Sequence, residues 1–229
     1  MGGLRVVEVF DSLQGEGYWT GVPMTFVRLA GCNAVSLGLG CTRWCDTPES
    51  WELGAGKDMG IGEVLSKVWL PRLCLTGGEP LLQLEAVTEL VTAVHFKDVR
   101  VHVETNGTVS PAGIQEDLFD WVVVSPKPPE YRIARGWEGR VDELKLVVDD
   151  SLDAATAERV AAAHPEAVVC IQPKYGRGRA GDRRAPRRDA DTGRHIRPTR
   201  VSAERAIALV MDHPAWRLSL QTHKLLGVR

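Results

Sequence analysis

Short apolar segments alternate with longer amphipathic segments along most of the chain, and this alternation limits the folds it can adopt. The apolar segments are rich in Val, Leu and Ile and are bounded by Gly, Pro, Asp or Asn, as β-strands are. Several of the segments between them have helical periodicity. Strands that alternate with helices form parallel βαβ units, so we predict an α/β fold, either an open doubly wound sheet or a full or partial barrel.

The predicted elements extend from residue 24 to residue 221. The strand candidates are Met24–Leu29, Arg72–Thr76, Val99–Glu104, Trp121–Ser125, Glu143–Val148, Ala167–Gln172 and Arg217–Gln221. The helix candidates are Ile61–Trp69, Leu84–His95, Leu152–Ala163 and Ser202–Met211. We expect Ser202 to cap the last helix, because serine is favoured at that position. No GxGxxG motif follows the first strand, which weakens the case for a dinucleotide-binding fold.

Length and composition are those of one globular domain. The chain has 229 residues, of which 44% are apolar and 25% charged, and its formal net charge is −2. This length predicts a single domain over residues 1–229. The net charge gives no general attraction to nucleic acid or membranes. No apolar run approaches the roughly 18–20 residues that a membrane span needs, so we expect no membrane partner.

One segment, residues 174–200, differs from the rest of the chain. It holds ten Lys or Arg and three Asp and has few apolar residues. Such a segment cannot bury a core, so we predict a mobile surface insertion within the domain. Its charge would suit nucleic acid, but Tyr175 is its only aromatic residue, and this favours a solvated insertion without a nucleic-acid partner.

Three of the five cysteines, Cys32, Cys41 and Cys45, lie close together after the first predicted strand. The N-terminus does not resemble a secretory signal, so we expect a cytoplasmic chain with reduced thiols. Clustered thiols in that setting indicate metal binding or catalysis. Structural zinc normally takes four protein ligands, whereas a [4Fe–4S] cluster on three cysteines leaves one iron open. From the cysteines alone, a cluster, zinc and incidental thiols all stay open.

The other two cysteines, Cys74 and Cys170, lie inside apolar runs, and we expect both to be buried as small hydrophobic residues.

Further polar motifs follow the predicted strands. They are TGGEP at 76–80, ETNGT at 104–108, SPKPP at 125–129 and Gln172-Pro173. Each could be a simple turn, although paired glycines also let a ligand approach the backbone. In parallel α/β folds, ligands bind at the carboxyl ends of the strands. Together with the cysteines, these motifs predict one site at that end of the sheet.

These motifs resemble those of the radical S-adenosylmethionine (SAM) superfamily and, more narrowly, the 7-carboxy-7-deazaguanine synthase family. The cysteine gaps of eight and three residues differ from the superfamily's common three and two. The basic segment is the main stretch without a match. The resemblance implies a partial or distorted (β/α) barrel of the radical SAM type. The matching runs are FDSLQGEGYWTG, FVRLAGCN, WCDTPES, LTGGEPLLQ, VHVETNGT, VSPKPP, ELKLVV, CIQP and LSLQTHKLLGVR.

The resemblance also implies the cofactors. Cys32, Cys41 and Cys45 would hold a [4Fe–4S] cluster whose open iron binds SAM, and Thr47 would be a ligand of Mg²⁺. No protein side chain would be catalytic, because the radical is generated on SAM. The implied SAM-binding residues are Trp44, Asp46, Gly77, Gly78, Glu79, Ser125, Lys127, Gln172 and Pro173.

The implied activity is ring contraction of 6-carboxy-5,6,7,8-tetrahydropterin to 7-carboxy-7-deazaguanine with loss of ammonia, in 7-deazapurine (queuosine, archaeosine or related) biosynthesis. The implied partners are a reducing electron donor protein and a second copy of the chain in a homodimer. The alternatives are another radical SAM enzyme, such as a glycyl-radical activase, and a zinc-stabilised RNA-binding module. The implied substrate-binding residues are Leu13, Gln14, Gly15, Glu16, Arg28, Thr76, Asn106 and His223.

Overall fold

The structure is a computed structural model that describes residues 3–175 and 197–228. The strands are β1 (Leu4–Leu13), β2 (Pro23–Leu29), β3 (Lys57–Met59), β4 (Arg72–Gly77), β5 (Arg100–Thr105), β6 (Trp121–Val124), β7 (Glu143–Val148), β8 (Val168–Pro173) and β9 (Arg217–Leu218). The helices are α1 (Ile61–Leu65), α2 (Leu84–His95), α3 (Ala154–Ala162), α4 (Arg200–Asp212) and α5 (Thr222–Leu226).

All nine strands belong to one sheet, in the order β3-β1-β2-β4-β5-β6-β7-β8-β9. β1 runs antiparallel to both of its neighbours, whereas every pair from β2 to β9 is parallel. Over the described residues β3 and β9 are the two edges, so the sheet is open. The predicted α/β class and partial barrel are therefore confirmed.

Side chains alternate between the two faces of the parallel strands. On β4 and β5, Leu73, Leu75, Val101 and Val103 belong to the large hydrophobic core, which also holds the buried residues of α2. Their neighbours along the strands are polar or small and include Cys74, Thr76, His102 and Glu104. This period of two is that of strands whose faces meet different surroundings. One face makes the core with the helices, and the other is available for a site.

The predicted elements agree with the structure at most positions. Glu143–Val148 and Leu84–His95 have the predicted bounds, and Cys74 and Cys170 are buried as expected. The last predicted strand is shorter and ends at Leu218. Three elements were not predicted: β1, β3 and α5. Along β1, Arg5, Glu8 and Asp11 interrupt the apolar pattern on which the prediction relied.

The predicted helix cap at Ser202 was wrong. Helix α4 starts earlier, and Thr199 caps it by accepting a hydrogen bond from the Ser202 backbone N–H. The Ser202 hydroxyl donates instead to the Val148 carbonyl, at 2.6 Å, and accepts from the Lys174 N–H. Ser202 therefore joins α4 to the end of β7.

Most of the predicted basic insertion, residues 176–196, lies outside the described residues. None of the helices in the described part of the chain is both long and apolar enough to cross a lipid bilayer.

Candidate active site

A cavity of about 750 Å³ opens at the carboxyl ends of the parallel strands. Thr76 on β4, Glu104 on β5, Ser125 after β6 and Gln172 on β8 all line it. Every predicted site residue except Glu79 lines it as well. The structure therefore brings together residues that are up to about two hundred positions apart in the sequence, as expected for ligand sites of parallel α/β folds.

The three clustered cysteines occupy one part of the cavity wall. Cys32 follows β2, and its backbone N–H donates to the Trp51 carbonyl at 2.9 Å. Cys41 lies in the 3₁₀ turn Gly40–Arg43, and the Cys45 N–H donates to the Cys41 carbonyl at 2.8 Å. The three-residue gap between these two cysteines therefore forms one closed turn. The Trp51 indole N–H donates to the Cys45 sulfur at 3.3 Å.

The chemistry of these thiols fits an iron–sulfur cluster. Burial raises the pKa of both Cys32 and Cys41, and the positive charge of Lys127 opposes the rise. All three thiols face one cavity with this cation close by, and thiolates are the usual ligands of such clusters. Among the described residues, no three His, Cys, Asp or Glu side chains surround a single metal ion's position. A cluster of four irons spreads its thiolate ligands more widely than one ion does.

The TGGEP motif joins the end of β4 to the cysteine segment through its backbone. A Cβ atom on Gly78 would lie 2.0 Å from the Gly31 carbonyl oxygen, and Gly77 has a φ of +123°. The Gly78 N–H donates to the Leu29 carbonyl, and the Glu79 N–H donates to the Gly31 carbonyl. Both glycines are needed for this close approach of two backbones.

The Glu79 carboxylate lies beneath the cavity wall and is fully buried. It accepts hydrogen bonds from the Thr105 hydroxyl at 2.8 Å and from the Asn106 backbone N–H at 2.7 Å. Burial raises its pKa, and these hydrogen bonds oppose the rise. Glu79 thus fastens the ends of β4 and β5 to each other.

The ETNGT motif contacts the cysteine segment through amide side chains. The Asn106 amide N–H donates to the Asn33 amide oxygen at 2.9 Å, and the Asn33 amide N–H donates to the Thr108 hydroxyl at 2.8 Å. Asn106 also accepts from the Thr108 backbone N–H. Asn33, the residue next to Cys32, is therefore held by the loop after β5.

A buried ionic group occupies another part of the cavity. Lys145 on β7 lies 2.6 Å from Glu16 and 3.4 Å from Glu104. Glu104 also accepts from the Thr76 hydroxyl at 2.9 Å and from the Gln14 amide at 3.2 Å. The N-terminal QGEG run, two strand ends and β7 meet at this group.

Lys145 keeps this group charged. Burial on its own raises the pKa of Glu16. This effect is outweighed by the charges of Lys145 and His223 and by hydrogen bonds from Lys145 and Gln221, so the pKa lies far below its usual range. Burial lowers the pKa of Lys145, and Glu104 and Glu16 reverse this effect and raise it well above its usual value. At neutral pH the Glu16 carboxylate is therefore an ionised acceptor facing the cavity.

The C-terminal segment closes one side of the cavity. The Gln221 amide donates to Glu16 at 2.5 Å and to Asp46 at 3.2 Å. Lys224 donates to Asp46 at 2.7 Å, and its ammonium lies 4.8 Å from the centre of the Tyr175 ring. These contacts connect the CDT and QGEG motifs through the end of the chain.

Three further predicted residues are packed by their neighbours in the cavity wall. The Thr222 N–H donates to the Gly15 carbonyl, and a Cβ atom on Gly15 would overlap the His223 ring. Burial lowers the pKa of His223, which favours its neutral form. Gln172 accepts from the Ser219 hydroxyl at 3.1 Å. The wall here is built from both ends of the described chain.

Two cations that were predicted to bind ligands also have partners within the protein. Arg28 donates through Nε to Glu8 at 2.8 Å. Lys127 donates to the Ser125 hydroxyl at 2.7 Å and lies 5.8 Å from the centre of the Trp44 ring. The Trp44 indole N–H in turn donates to Asp149 at 3.3 Å.

Several cavity residues were not among those predicted. They are held in place by the contacts described above, and their signals in the sequence are weaker than those of the motifs. Lys145 lies between two buried leucines on β7, and Glu104 lies between the buried Val103 and Thr105 on β5. A charge in a buried strand is costly unless it is paired. That pattern could have identified both. The residues concerned are Trp51, Glu104, Lys145, Tyr175, Gln221 and Lys224.

Comparison with known proteins identifies the family. No protein-family model matches the chain. The 7-carboxy-7-deazaguanine synthase of Bordetella pertussis is 35% identical over 247 residues, which cover 97% of this chain and 98% of that protein. The chain belongs to the 7-carboxy-7-deazaguanine synthase family.

Other members of this family are also similar. The 7-carboxy-7-deazaguanine synthase of Methanospirillum hungatei is 38% identical over 181 residues, covering 76% of this chain and 74% of that protein. That of Synechocystis sp. is 30% identical over 228 residues, covering 98% and 93%. The crystal structure of QueE from Escherichia coli has a TM-score of 0.66 at 24% identity and covers 95% of this chain and 93% of that one, which supports the fold. The predicted family and enzyme class are confirmed.

Proposed function

We propose that this chain contracts the ring of 6-carboxy-5,6,7,8-tetrahydropterin to 7-carboxy-7-deazaguanine with loss of ammonia, in 7-deazapurine biosynthesis. The observation that carries the proposal is one cavity at the strand ends, lined by three cysteines and by the buried ionic group, in a member of this family. A [4Fe–4S] cluster with SAM, when bound, supplies one-electron chemistry that removes a hydrogen atom from the substrate.

The residues of the cysteine side would hold the cofactors. Cys32, Cys41 and Cys45 are the ligands of the cluster. Trp44, Asp46 and the TGGEP backbone lie beside them and suit SAM, with Glu79 acting from beneath by shaping that backbone. Ser125, Lys127, Gln172 and Pro173 complete the SAM side of the wall.

The residues of the ionic side would hold the substrate. A pterin presents N–H donors along its guanidine-like edge, and the carboxylates of Glu16 and Glu104 are acceptors for them. Arg28 suits the substrate carboxylate, because a guanidinium has five N–H donors and can bind Glu8 and a ligand together. Leu13, Gln14, Gly15, Thr76, Asn106 and His223 line the same space.

We further propose Mg²⁺ as a cofactor, with the Thr47 hydroxyl as its protein ligand. Mg²⁺ usually keeps several waters and takes few protein ligands, so one hydroxyl together with substrate oxygens would suffice. The proposal also includes a reducing electron donor protein, a homodimer and a single domain interrupted by the basic segment.

Anaerobic turnover tests the function. The protein is reconstituted with iron and sulfide and given reductant, SAM, Mg²⁺ and the tetrahydropterin, and 7-carboxy-7-deazaguanine is sought by mass. Product is expected from the unsubstituted chain and from Cys74→Ala, whose thiol lies outside the cavity wall, and none from Cys41→Ala. Cleavage of SAM without formation of 7-carboxy-7-deazaguanine would overturn the proposed substrate. Bound zinc with neither reaction would favour the zinc-stabilised alternative.

The same assay tests the Mg²⁺ ligand. Thr47→Ala is expected to need a higher Mg²⁺ concentration for half-maximal rate, whereas the control Thr20→Ala, on the exposed hairpin, is expected to keep the original response. Equal responses from both variants would place the Mg²⁺ ligand elsewhere.

A further inference from the structure

Trp51 contacts two of the three clustered cysteines. Its indole N–H donates to the Cys45 sulfur at 3.3 Å, and its backbone carbonyl accepts from the Cys32 N–H at 2.9 Å. Trp51 is half-buried and itself lines the cavity. A single residue thus connects the first and last cysteines of the set.

The segment that carries Trp51 is tied to the end of β2 at several points. The Gly31 N–H donates to the Ser50 carbonyl at 2.9 Å, and the Trp51 N–H donates to the Pro48 carbonyl at 3.2 Å. The Ser50 side chain is fully buried and donates to the Thr47 carbonyl at 2.7 Å. These bonds fix the backbone on which the indole is mounted, so its position relative to Cys45 is set by the fold.

A hydrogen bond to a coordinating thiolate changes the electron affinity of the cluster that the thiolate holds. The donor withdraws electron density from the sulfur and stabilises the more negative, reduced state. We propose that Trp51 is a positioning residue that orients the Cys45 thiolate and raises the reduction potential of the cluster through its indole N–H. This inference rests on the proposed function, because it requires the three cysteines to hold a cluster.

Trp51→Phe tests the inference, because phenylalanine keeps an aromatic ring and removes the N–H donor. The reduction potential of the reconstituted cluster is titrated and followed by the EPR signal of its reduced form. We expect a shift to more negative potential, with a severalfold fall in the reduced-to-oxidised ratio at a fixed potential; a tenfold fall corresponds to about 59 mV for one electron.

Trp69→Phe is the matched control. It also removes an indole N–H, but that N–H donates to Asp11, an exposed residue of β1 that does not line the cavity, at 2.7 Å. The control is expected to keep the original potential. Equal potentials for the unsubstituted protein and Trp51→Phe would overturn the inference while leaving the proposed function intact. Failure of the unsubstituted protein to bind iron and sulfide would overturn the proposed function itself.

A second measurement covers the case in which Trp51→Phe fails to retain its cluster. Protein labelled with ¹⁵N in its tryptophan indoles is reduced and examined by pulsed EPR. We expect a weak hyperfine coupling between the electron spin of the reduced cluster and an indole ¹⁵N nucleus. This coupling is expected to persist in Trp44→Phe, which keeps the Trp51 indole. Absence of the coupling, or its loss in Trp44→Phe, would overturn the inference.

Discussion

At the scale of single residues, the charge of Lys145 compensates two carboxylates in the cavity. Its ammonium faces Glu16 and Glu104, and its own side chain is only 8% exposed. Removing one partner of a buried ion pair is more costly than losing the pair, because the remaining charges are left without compensation.

Lys145→Met is therefore expected to lower the free energy of unfolding by about 3–5 kcal/mol, as measured by urea denaturation at pH 7. The control is Lys174→Met. Lys174 pairs with Asp150 at 3.5 Å, and Asp150 is 94% exposed, so we expect a loss of at most about 1 kcal/mol. Similar losses of unfolding free energy from both variants would show that Lys145 and its two carboxylates stabilise the folded state no more than an exposed ion pair does.

The glycine pair of TGGEP gives a second prediction at this scale. Gly78→Ala would place a methyl group 2.0 Å from the Gly31 carbonyl, so the turn must move. We expect a loss of more than about 2 kcal/mol in unfolding free energy and weaker SAM binding by calorimetry. Gly62→Ala, in α1 where an added Cβ meets nothing within 4 Å, is expected to be neutral or stabilising. Normal SAM binding by Gly78→Ala would contradict the expectation that SAM binding requires the close approach of the Gly78 and Gly31 backbones.

The sequence predicted the cavity residues better than the contacts that hold them. Strand-end motifs are recognisable because chain-local signals, such as a glycine pair or Asn-Gly, mark where strands stop. One partner of Glu79, the Leu81 backbone N–H, is local. The other two, Thr105 and Asn106, lie more than twenty positions away. Nothing in the spacing of TGGEP indicates that its carboxylate turns inward to a neighbouring strand instead of lining the cavity.

At the scale of elements, the sequence pattern predicts the buried parallel strands but not the antiparallel strands β1 and β3. The parallel strands carry apolar residues on the face that packs on helices, which leaves a clear signal in the sequence. β1 forms the long hairpin with β2 and carries charged residues along its length, so its periodicity is mixed. An antiparallel strand of this kind is set by pairing with its neighbours, which the local pattern does not reveal.

Helix α4 provides an element-scale prediction, because its true cap lies three residues before the expected one. Thr199→Ala removes the acceptor for the Ser202 N–H and is expected to cost about 1 kcal/mol of unfolding free energy. Ser202→Ala is expected to cost more, since it leaves the Lys174 N–H without its hydroxyl acceptor. Thermal denaturation of both variants checks the order, and a larger loss from Thr199→Ala would contradict it.

At the scale of the whole molecule, stability is expected to fall in acid because of His102. This residue is 3% exposed and lies against Trp19. Burial lowers its pKa to about 4, so the unfolded chain binds a proton on this residue below pH 6.5 and the folded chain does not. The folded state therefore loses about 3 kcal/mol from this residue between pH 7 and pH 4.

Urea denaturation at pH 7 and pH 4 measures this loss. His102→Phe, which cannot titrate, is expected to reduce the difference between the two pH values by that amount. An unchanged difference in the variant would show that His102 does not control the acid response.

The basic segment gives a second prediction at this scale. The Thr199 N–H donates to the Lys174 carbonyl at 3.1 Å, so the described residues on either side of the segment lie next to each other. Replacing residues 178–194 with a short Gly-Ser linker is expected to preserve product formation and to change the unfolding free energy by less than about 1 kcal/mol. Loss of SAM binding in this variant would show that the segment belongs to the site.

The contact between Gln221 and Glu16 joins residues 205 positions apart. Contacts so distant in sequence require the closure of a very long loop, and loop closure slows folding. We expect the hairpin and the first parallel strands to become ordered before this contact forms, leaving the newly made pocket open on its C-terminal side. The order of folding would then provide a period in which a bulky prosthetic group can be inserted before the pocket closes around it.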